Sequence, residues 1–476
     1  MVRRRPIPVP LGLALAVVTA ALAAGGPAAA VPAAADTAYP AAVAPATPVL
    51  SLRRVSDLVT AMVGDRRLAA QLGPAMNDTG GPPGQACLSV RNPDGRTVFA
   101  RNTTVALIPA STMKLETATA AMARLGSGSH LTTEVRAAAA PSGGTVAGDL
   151  WLVGGGDPLL ATNDFAQVAG YHGQPRLSSS MEALADRVVA AGIRRVDGRV
   201  VGDESRYDTQ RYVPSWNPSY ATLGEIGPQS ALTVNGGFVQ WRPQAVPAPA
   251  PATNAAAVLT TLLEARGVTV AGEAGEGRSP PGPTLATLDS PVMADVVRVM
   301  LQESDNLAAE LLVKELGVRF GASGTTMAGL AVVKDSLASL ALPVEGLASA
   351  DGSGLDRSDR LTCDSLQATL AHSGEGGDLG RGMPVAGRDG TLARRFTGTA
   401  AAGKIKAKTG SLQGVTGLSG WATARDGRPM QFALLANDLP RDAAGTALQD
   451  RVVAALAAWP QAPSPEEISP LPAQPR

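Results

Sequence analysis

The order of apolar and polar positions predicts helices and strands in separate blocks of this chain. Apolar residues recur three and four positions apart, the spacing that buries one face of a helix, in these segments: 55–72, 110–125, 181–192, 255–266, 290–302, 307–316, 326–340 and 443–459. Short apolar runs bounded by Gly, Pro, Asn or Asp predict strands at 86–91, 97–101, 148–153, 196–203, 268–270, 405–409, 417–424 and 430–436.

The middle of the chain differs in texture from its two ends. Between about residues 135 and 285, short β-like runs alternate with Gly, Pro and Asp turns and with Pro/Ala-rich loops. We therefore predict one or two small β-rich domains at 135–285, inserted between the two parts of a larger domain at 50–134 and 286–460. The Pro-rich end of the chain, 461–476, is predicted to be a disordered tail.

Residues 1–30 are predicted to be a secretory signal peptide. Arg3-Arg4-Arg5 gives a basic start, and the apolar run from Leu11 to Ala24, which is shorter than a membrane span needs, precedes several small residues. A flexible Ala/Pro-rich lead-in is expected at 31–49. The protein is thus predicted to act outside the cytoplasmic membrane, secreted or in the cell wall. An uncleaved signal that anchors the chain, with peripheral association at the membrane or wall, remains an open alternative.

Composition excludes some classes of function. The chain of 476 residues carries 41 basic and 41 acidic side chains without a charge run, which argues against nucleic-acid binding. Its three histidines are scattered without ligand spacing, so neither a metal nor a cofactor is predicted. In a secreted chain the only two cysteines, Cys87 and Cys363, suggest a disulfide, with two buried thiols as the alternative.

The first candidate for chemistry is the segment Ser111-Thr112-Met113-Lys114, at the start of a predicted helix that opens at about Ala110 after Pro109. Residues three apart lie on the same face of a helix, so the Lys114 amine can reach the Ser111 hydroxyl. This is the geometry of a serine nucleophile with a lysine base. Taken alone the motif is weak, since a serine and a lysine on an ordinary surface helix give the same pattern.

Two further triplets strengthen this interpretation. Ser304-Asp305-Asn306 lies at a break between two apolar helices, and Lys408-Thr409-Gly410 lies at the end of a predicted strand. Together with the first motif they form the set of active-site serine penicillin-recognising enzymes, in the expected order and context. A Ser-His-Asp enzyme is disfavoured, because the chain has no Gly-x-Ser-x-Gly and its histidines have no assigned place.

Each residue type suits one step of acyl transfer. Lys114 can act as the base if burial and the positive charge of Lys408 lower its pKa, and the Ser304 hydroxyl can relay a proton to the leaving amine. Asn306 can hold a substrate amide and orient Lys114. Lys408 and Thr409 suit a substrate carboxylate, and the N–H groups of Ser111 and Ser411 would form the oxyanion hole. Gly410 would let the substrate lie close to its strand.

On these motifs the chain resembles the low-molecular-mass class C penicillin-binding proteins, the D-alanyl-D-alanine carboxypeptidase/endopeptidase family. The resemblance extends to Gly154-Gly155-Gly156-Asp157-Pro158 and Asp351-Gly352-Ser353-Gly354-Leu355, and to the long insertion itself. It implies an α+β fold, in which a transpeptidase/β-lactamase-like domain with an antiparallel sheet between helices is interrupted by small β-rich domains.

The resemblance also implies a function and further site residues. The expected activity is cleavage of the terminal D-Ala-D-Ala bond of peptidoglycan stem peptides through an acyl-Ser111 intermediate, with endopeptidase activity as an addition and β-lactams as inhibitors. By motif position, Asp157 and Arg357 would bind a free diaminopimelate end, and Leu355 and Leu412 would line the site. For Asp157 a turn-forming aspartate before proline is an equal alternative. A β-lactamase on the same fold, or a non-catalytic peptidoglycan-binding scaffold, are the competing functions.

Overall fold

The computed structural model describes residues 51–82, 84–169 and 175–470. Its α-helices are α1 Ser56–Asn77, α2 Lys114–Leu125, α3 Asn163–Ala169, α4 Met181–Ala190, α5 Ser219–Thr222, α6 Pro251–Glu264, α7 Met293–Glu303, α8 Asn306–Phe320, α9 Thr326–Ser339, α10 Cys363–Ser373, α11 Asp378–Arg381 and α12 Asp442–Ala457. Short 3-10 helices lie at Leu52–Val55, Ala110–Met113, Asn235–Gly237 and Gly390–Leu392.

The strands are β1 Ala86–Arg91, β2 Thr97–Arg101, β3 Thr132–Ala137, β4 Thr145–Val146, β5 Leu150–Val153, β6 Leu160–Ala161, β7 Ser179–Ser180, β8 Arg195–Val196, β9 Val200–Asp203, β10 Phe238–Gln240, β11 Val246–Pro247, β12 Thr269–Val270, β13 Gly275–Glu276, β14 Thr284–Asp289, β15 Ile405–Leu412, β16 Val415–Thr423 and β17 Pro429–Ala436. Leu52–Ser469 form one compact unit, which contains all of these helices and strands.

The main sheet joins strands from both ends of the chain. Its order is β15-β16-β17-β1-β2, and every neighbouring pair is antiparallel. Alternate residues of β17 point to opposite faces: Phe432 and Leu434 pack into a core shared with α1 and α12, whereas Ala433 and Leu435 pack into a core shared with α2, α7 and α10. The sheet therefore lies between two layers of helices, which confirms the predicted α+β fold.

A second sheet of five strands lies in the middle of the chain. Its order is β13-β9-β5-β3-β14, with parallel pairs β13–β9 and β9–β5 and antiparallel pairs β5–β3 and β3–β14. Helices α4 and α6 share its core. The predicted insertion limits at 135 and 285 fall inside β3 and β14. These two strands pair with each other, with Thr132 opposite Asp289.

The two ends of the chain were predicted to be a signal peptide and a disordered tail. The signal peptide and lead-in, 1–49, lie outside the described residues. In the segment predicted as tail, the Pro463 and Ser469 carbonyls accept hydrogen bonds from Thr60 Oγ1 (2.8 Å) and Arg53 Nη1 (3.1 Å) near the start of the described chain. Among the residues that the structure describes, no helix has the length and apolar character needed to cross a membrane.

A disulfide joins the two parts of the main domain. Cys87 in β1 and Cys363 at the start of α10 are bonded at an S–S distance of 2.02 Å, and both side chains are fully buried. The bond lies in the core beneath the sheet face that carries α2 and α10.

Candidate active site

Ser111 and Lys114 occupy the junction between a 3-10 turn and α2. The turn spans Ala110–Met113, and Lys114 is the first residue of α2. Lys114 Nζ lies 2.8 Å from Ser111 Oγ. The lysine is fully buried, whereas Ser111 lines an open cleft. The hydroxyl is therefore accessible to a substrate while its partner amine is shielded from water.

Two further acceptors hold the Lys114 amine. Its Nζ donates to Asn306 Oδ1 (2.6 Å) and to the Ser353 carbonyl (2.6 Å). The Asn306 amide is fixed in this orientation because its Nδ2 donates to the Glu225 carbonyl (2.8 Å). Burial lowers the pKa of Lys114 to about 8, against the opposing effect of nearby carboxylates such as Asp351. The amine is thus poised to lose its proton near neutral pH.

Ser304 faces the second lysine of the motif set. Ser304 ends α7 in a left-handed conformation (φ 57°, ψ 37°), and Asp305 caps the next helix by accepting the Ala308 N–H (2.9 Å). Lys408 Nζ donates to Ser304 Oγ (2.8 Å). Burial, assisted by the positive charge of Lys114, holds the pKa of Lys408 well below its usual value. The two lysines therefore face two different serine hydroxyls.

The edge strand β15 packs against the turn that carries Ser111. A Cβ on Gly410 would lie 2.7 Å from the Pro109 carbonyl oxygen, so no side chain fits between strand and turn. From the sequence, Gly410 was expected to leave room for a substrate beside the strand. In the structure it leaves room for Pro109. Beside it, Thr409 Oγ1 donates to Thr391 Oγ1 (2.9 Å), which ties the strand to the 3-10 turn at Gly390–Leu392.

A cleft of about 790 Å³ brings most of the predicted site residues together. The predicted residues that line it are Ser111, Ser304, Asn306, Leu355, Thr409, Ser411 and Leu412. Lys114, Lys408 and Gly410 are buried and do not line it.

Two predicted residues lie elsewhere. Asp157 is 2% exposed and accepts the N–H of Leu159 (2.8 Å), which is the turn geometry given as its alternative role. Burial raises the pKa of Asp157 to about 6. Arg357 is exposed and donates to the Gln413 carbonyl (2.9 Å) at the border of the cleft. Neither side chain is among the residues that line the cleft.

The sequence did not reveal an ion cluster around Ser304. Arg176, from the insertion, pairs with Glu303 (3.0 Å) and with Asp305, the two residues that flank Ser304, and all three line the cleft. Burial raises the pKa of Glu303 to about 7. The acidic residues on either side of Ser304 were a visible signal in the sequence, but their partner lies more than a hundred positions away.

A buried group of acids lies behind Lys114 and was also missed. Asp351 accepts the N–H groups of Ser353 (3.0 Å), Gly354 (2.6 Å) and Asp356 (2.8 Å), and Glu310 accepts that of Ser353 as well (2.8 Å). Burial raises the pKa of Glu310 to about 8. No group of His, Cys, Asp and Glu in the described part of the chain is arranged to hold a metal ion. The acids instead bind backbone N–H groups and so fix the loop that presents the Ser353 carbonyl to Lys114.

Sequence comparisons relate this chain to known carboxypeptidases. Residues 83–249 and 242–459 match the D-Ala-D-Ala carboxypeptidase 3 (S13) family. The chain is 30% identical over 455 residues to a D-alanyl-D-alanine carboxypeptidase of Actinomadura sp. (strain R39), covering 78% of this chain and 81% of that protein. It is 33% identical over 358 residues to carboxypeptidase DacB of Mycolicibacterium smegmatis, covering 72% of this chain and 74% of the relative.

A solved structure shares the fold. Penicillin-binding protein 4 of Haemophilus influenzae superposes with a TM-score of 0.68 at 20% identity, over 82% of this chain and 99% of that one. The H. influenzae protein has also been solved in complex with a β-lactam. At this level of identity the likeness concerns the fold alone.

Proposed function

The chain belongs to the D-Ala-D-Ala carboxypeptidase 3 (S13) family and is a serine-type carboxypeptidase among the low-molecular-mass class C penicillin-binding proteins, and from this premise we propose that Ser111 is its nucleophile and that it is secreted. Its substrates are peptidoglycan stem peptides ending in D-Ala-D-Ala. Ser111 attacks the carbonyl of the penultimate D-alanine, the terminal D-alanine leaves, and water hydrolyses the acyl-Ser111 ester. The observation that carries this proposal is the hydrogen-bond set of Lys114.

The direction of the Lys114 lone pair supports its role as base. A neutral lysine has two N–H bonds and one lone pair. Asn306 Oδ1 and the Ser353 carbonyl can only accept, so they take both N–H bonds and leave the lone pair facing Ser111 Oγ. With a pKa of about 8, about one molecule in ten has a neutral Lys114 at pH 7. That fraction can take the Ser111 proton as the C–O bond forms.

Ser304 is suited to deliver a proton to the leaving amine. Its oxygen accepts from Lys408 Nζ (2.8 Å), which leaves its own O–H directed away from that lysine. Ser304 and Ser111 line the same cleft, and in this proposal the leaving nitrogen is bound between their hydroxyls. In this proposal the hydroxyls of Thr409 and Ser411, which line the same cleft, bind the terminal carboxylate of the substrate.

The same acyl-transfer step serves two further reactions of this proposal. In a cross-linked peptide the leaving amine belongs to a second stem peptide, which makes the reaction an endopeptidase step. In penicillin the leaving nitrogen stays tethered in the opened β-lactam, so the acyl-Ser111 ester persists and the enzyme is inhibited. β-Lactam binding by the fold relative is in line with the second reaction.

Labelling with fluorescent penicillin tests the nucleophile. We expect a covalent adduct with the unmodified protein, none with Ser111→Ala, and an unchanged adduct with Ser339→Ala, a control at an exposed serine of α9 outside the cleft. Labelling of the Ser111→Ala variant would contradict the assignment. Release of D-alanine from a pentapeptide, and of monomer from a cross-linked dimer, then measures the two peptidase activities.

The same materials separate the competing functions. Rapid turnover of penicillin in place of a stable adduct would indicate a β-lactamase, and binding of the stem peptide without D-alanine release would indicate a scaffold. For secretion, we expect the protein from the culture medium or the cell wall to begin near residue 31. A wall- or membrane-bound protein that retains Met1 would show instead that the signal remains as an anchor.

A further inference from the structure

Residues 206–225 of the insertion run across α8, the helix that begins with Asn306. Arg206 pairs with Glu315 of α8 (2.7 Å), and Lys314 of α8 donates to the Gln210 carbonyl (2.9 Å). Glu315 and Lys314 are both fully buried. The segment is therefore fixed to the helix that contributes Asn306 and Glu310 to the surroundings of Lys114.

The same segment supports both fixed acceptors of Lys114, Asn306 by direct contact and the Ser353 carbonyl through Asp351. Trp216 Nε1 donates to Asp351 Oδ2 (2.7 Å), and Asp351 gathers the N–H groups of the loop whose Ser353 carbonyl binds Lys114. Further along, the Glu225 carbonyl accepts from Asn306 Nδ2 (2.8 Å), which directs Asn306 Oδ1 toward Lys114. The indole of Trp216 is 6% exposed and packs among apolar residues of the insertion and α8.

We propose that residues 215–225 of the insertion position the Lys114 base, with Trp216 acting through Asp351 and the Glu225 carbonyl acting through Asn306. The inference rests on the proposed function, in which Lys114 is the base for Ser111. Trp216 touches neither Ser111 nor Lys114 through a hydrogen bond and is a positioning residue. Without its N–H, Asp351 keeps its backbone donors and the neighbouring Asp359 carboxyl but loses its link to the insertion, and the Ser353 carbonyl is free to shift relative to the amine.

The charges around Asp351 set the direction of the expected pH effect. The carboxyls near it belong to Glu310 of α8 and to Asp356 and Asp359 of its own loop, and the cation near it is Lys114 of α2. An indole N–H places the positive end of a dipole on Asp351. Its removal makes the potential at Lys114 more negative, which favours the protonated amine. The pH at which acylation reaches half of its maximum should therefore move upward.

The experiment compares Trp216→Phe with Trp459→Phe. Trp459 is a matched control because it is also buried and donates its indole N–H to a carboxylate, Asp65 (3.0 Å), in the core on the opposite face of the main sheet. We expect Trp216→Phe to acylate with penicillin about ten- to hundredfold more slowly, with its pH midpoint moved upward. We expect Trp459→Phe to lower the unfolding temperature while leaving both the rate and the midpoint unchanged.

A normal acylation rate and a normal pH midpoint in folded Trp216→Phe would overturn the proposal. An equal loss of acylation rate in Trp459→Phe would overturn it as well. If Trp216→Phe does not fold, Ser215→Ala decides, because its hydroxyl donates to Asp356 of the same loop. That variant should acylate measurably more slowly, and a wild-type rate would refute the positioning role. Ser111→Ala, run in parallel, separates this outcome from failure of the proposed function, since labelling of that variant would refute the nucleophile itself.

Discussion

Gly354 offers the sharpest test of how closely the loop behind Lys114 controls the nucleophile. Its backbone lies in the left-handed region (φ +82°). A Cβ at this position would lie 1.9 Å from the Ala110 carbonyl oxygen and 3.0 Å from the Ser111 nitrogen. Since carbon and oxygen approach to about 3.3 Å at closest without a covalent bond, Gly354→Ala must push the Ser111 turn and the loop apart by more than about 1 Å.

The backbone conformation and packing of Gly354 set the expected loss of stability and of acylation rate in Gly354→Ala. A left-handed alanine costs about 1–2 kcal/mol, and forcing a methyl group into a packed site costs about 1–3 kcal/mol more. The free energy of unfolding should therefore fall by about 2–5 kcal/mol. Because a misplacement of about 1 Å can cost about a hundredfold in rate, penicillin acylation should slow by about that factor.

Gly427→Ala is the matched control for Gly354→Ala. Gly427 has a similar backbone conformation (φ +84°), but a Cβ there meets no atom within 4 Å. The control should lose about 1–2 kcal/mol from backbone strain alone and acylate at the normal rate. The assay is the second-order rate of fluorescent penicillin labelling, beside urea unfolding. Normal acylation by folded Gly354→Ala would refute the reasoning, and so would equal slowing in Gly427→Ala.

Two further predictions concern buried titratable groups. The rate of penicillin acylation should rise through a midpoint near pH 8, because burial lowers the pKa of Lys114 to about 8 and only the neutral amine accepts the Ser111 proton; a profile that is flat from pH 6 to 10 would exclude Lys114 as the base. Glu116→Gln should stabilise the protein above pH 5, because burial raises the pKa of Glu116 to about 8 whereas the unfolded chain ionises near 4.5. Wild-type stability is thus lost as pH rises between these values, by about 5 kcal/mol in all, and the variant escapes the loss because Thr369 Oγ1 can still donate to the amide oxygen. Urea unfolding of both proteins at pH 5 and pH 8 measures this, and an unchanged difference between the two pH values would contradict it.

The sequence predicted the parts of the site that depend on local geometry. Ser111 and Lys114 are one helical turn apart, so their contact follows from spacing alone. The helix break at Ser304 is indicated by the adjacent Asp305, which caps the next helix. The strand holding Lys408 followed from alternation and turn residues.

Contacts between distant segments were not predictable in this way. Arg176 and Trp216 lie in the insertion, and nothing in the sequence around them indicates that Arg176 pairs with the acids flanking Ser304 or that Trp216 binds Asp351. In the sequence, Asp351 stands out only as part of a glycine-rich motif. Its function as an acceptor for backbone N–H groups depends on the folded loop. For Gly410, the sequence predicted a close approach but not the partner, since the packing of β15 on Pro109 is a tertiary contact.

The Cys87–Cys363 bond has a consequence for how the protein withstands proteolysis. The two cysteines are 276 positions apart, and the chain between them contains the whole insertion together with α2, α7 and α8. A single cut anywhere in this covalent ring leaves both pieces joined by the disulfide. A protease that nicks an exposed loop of the insertion therefore does not release the segment carrying Ser111 from the segment carrying Lys408. Such a nicked molecule would migrate as one species on a denaturing gel and separate into two fragments only after reduction.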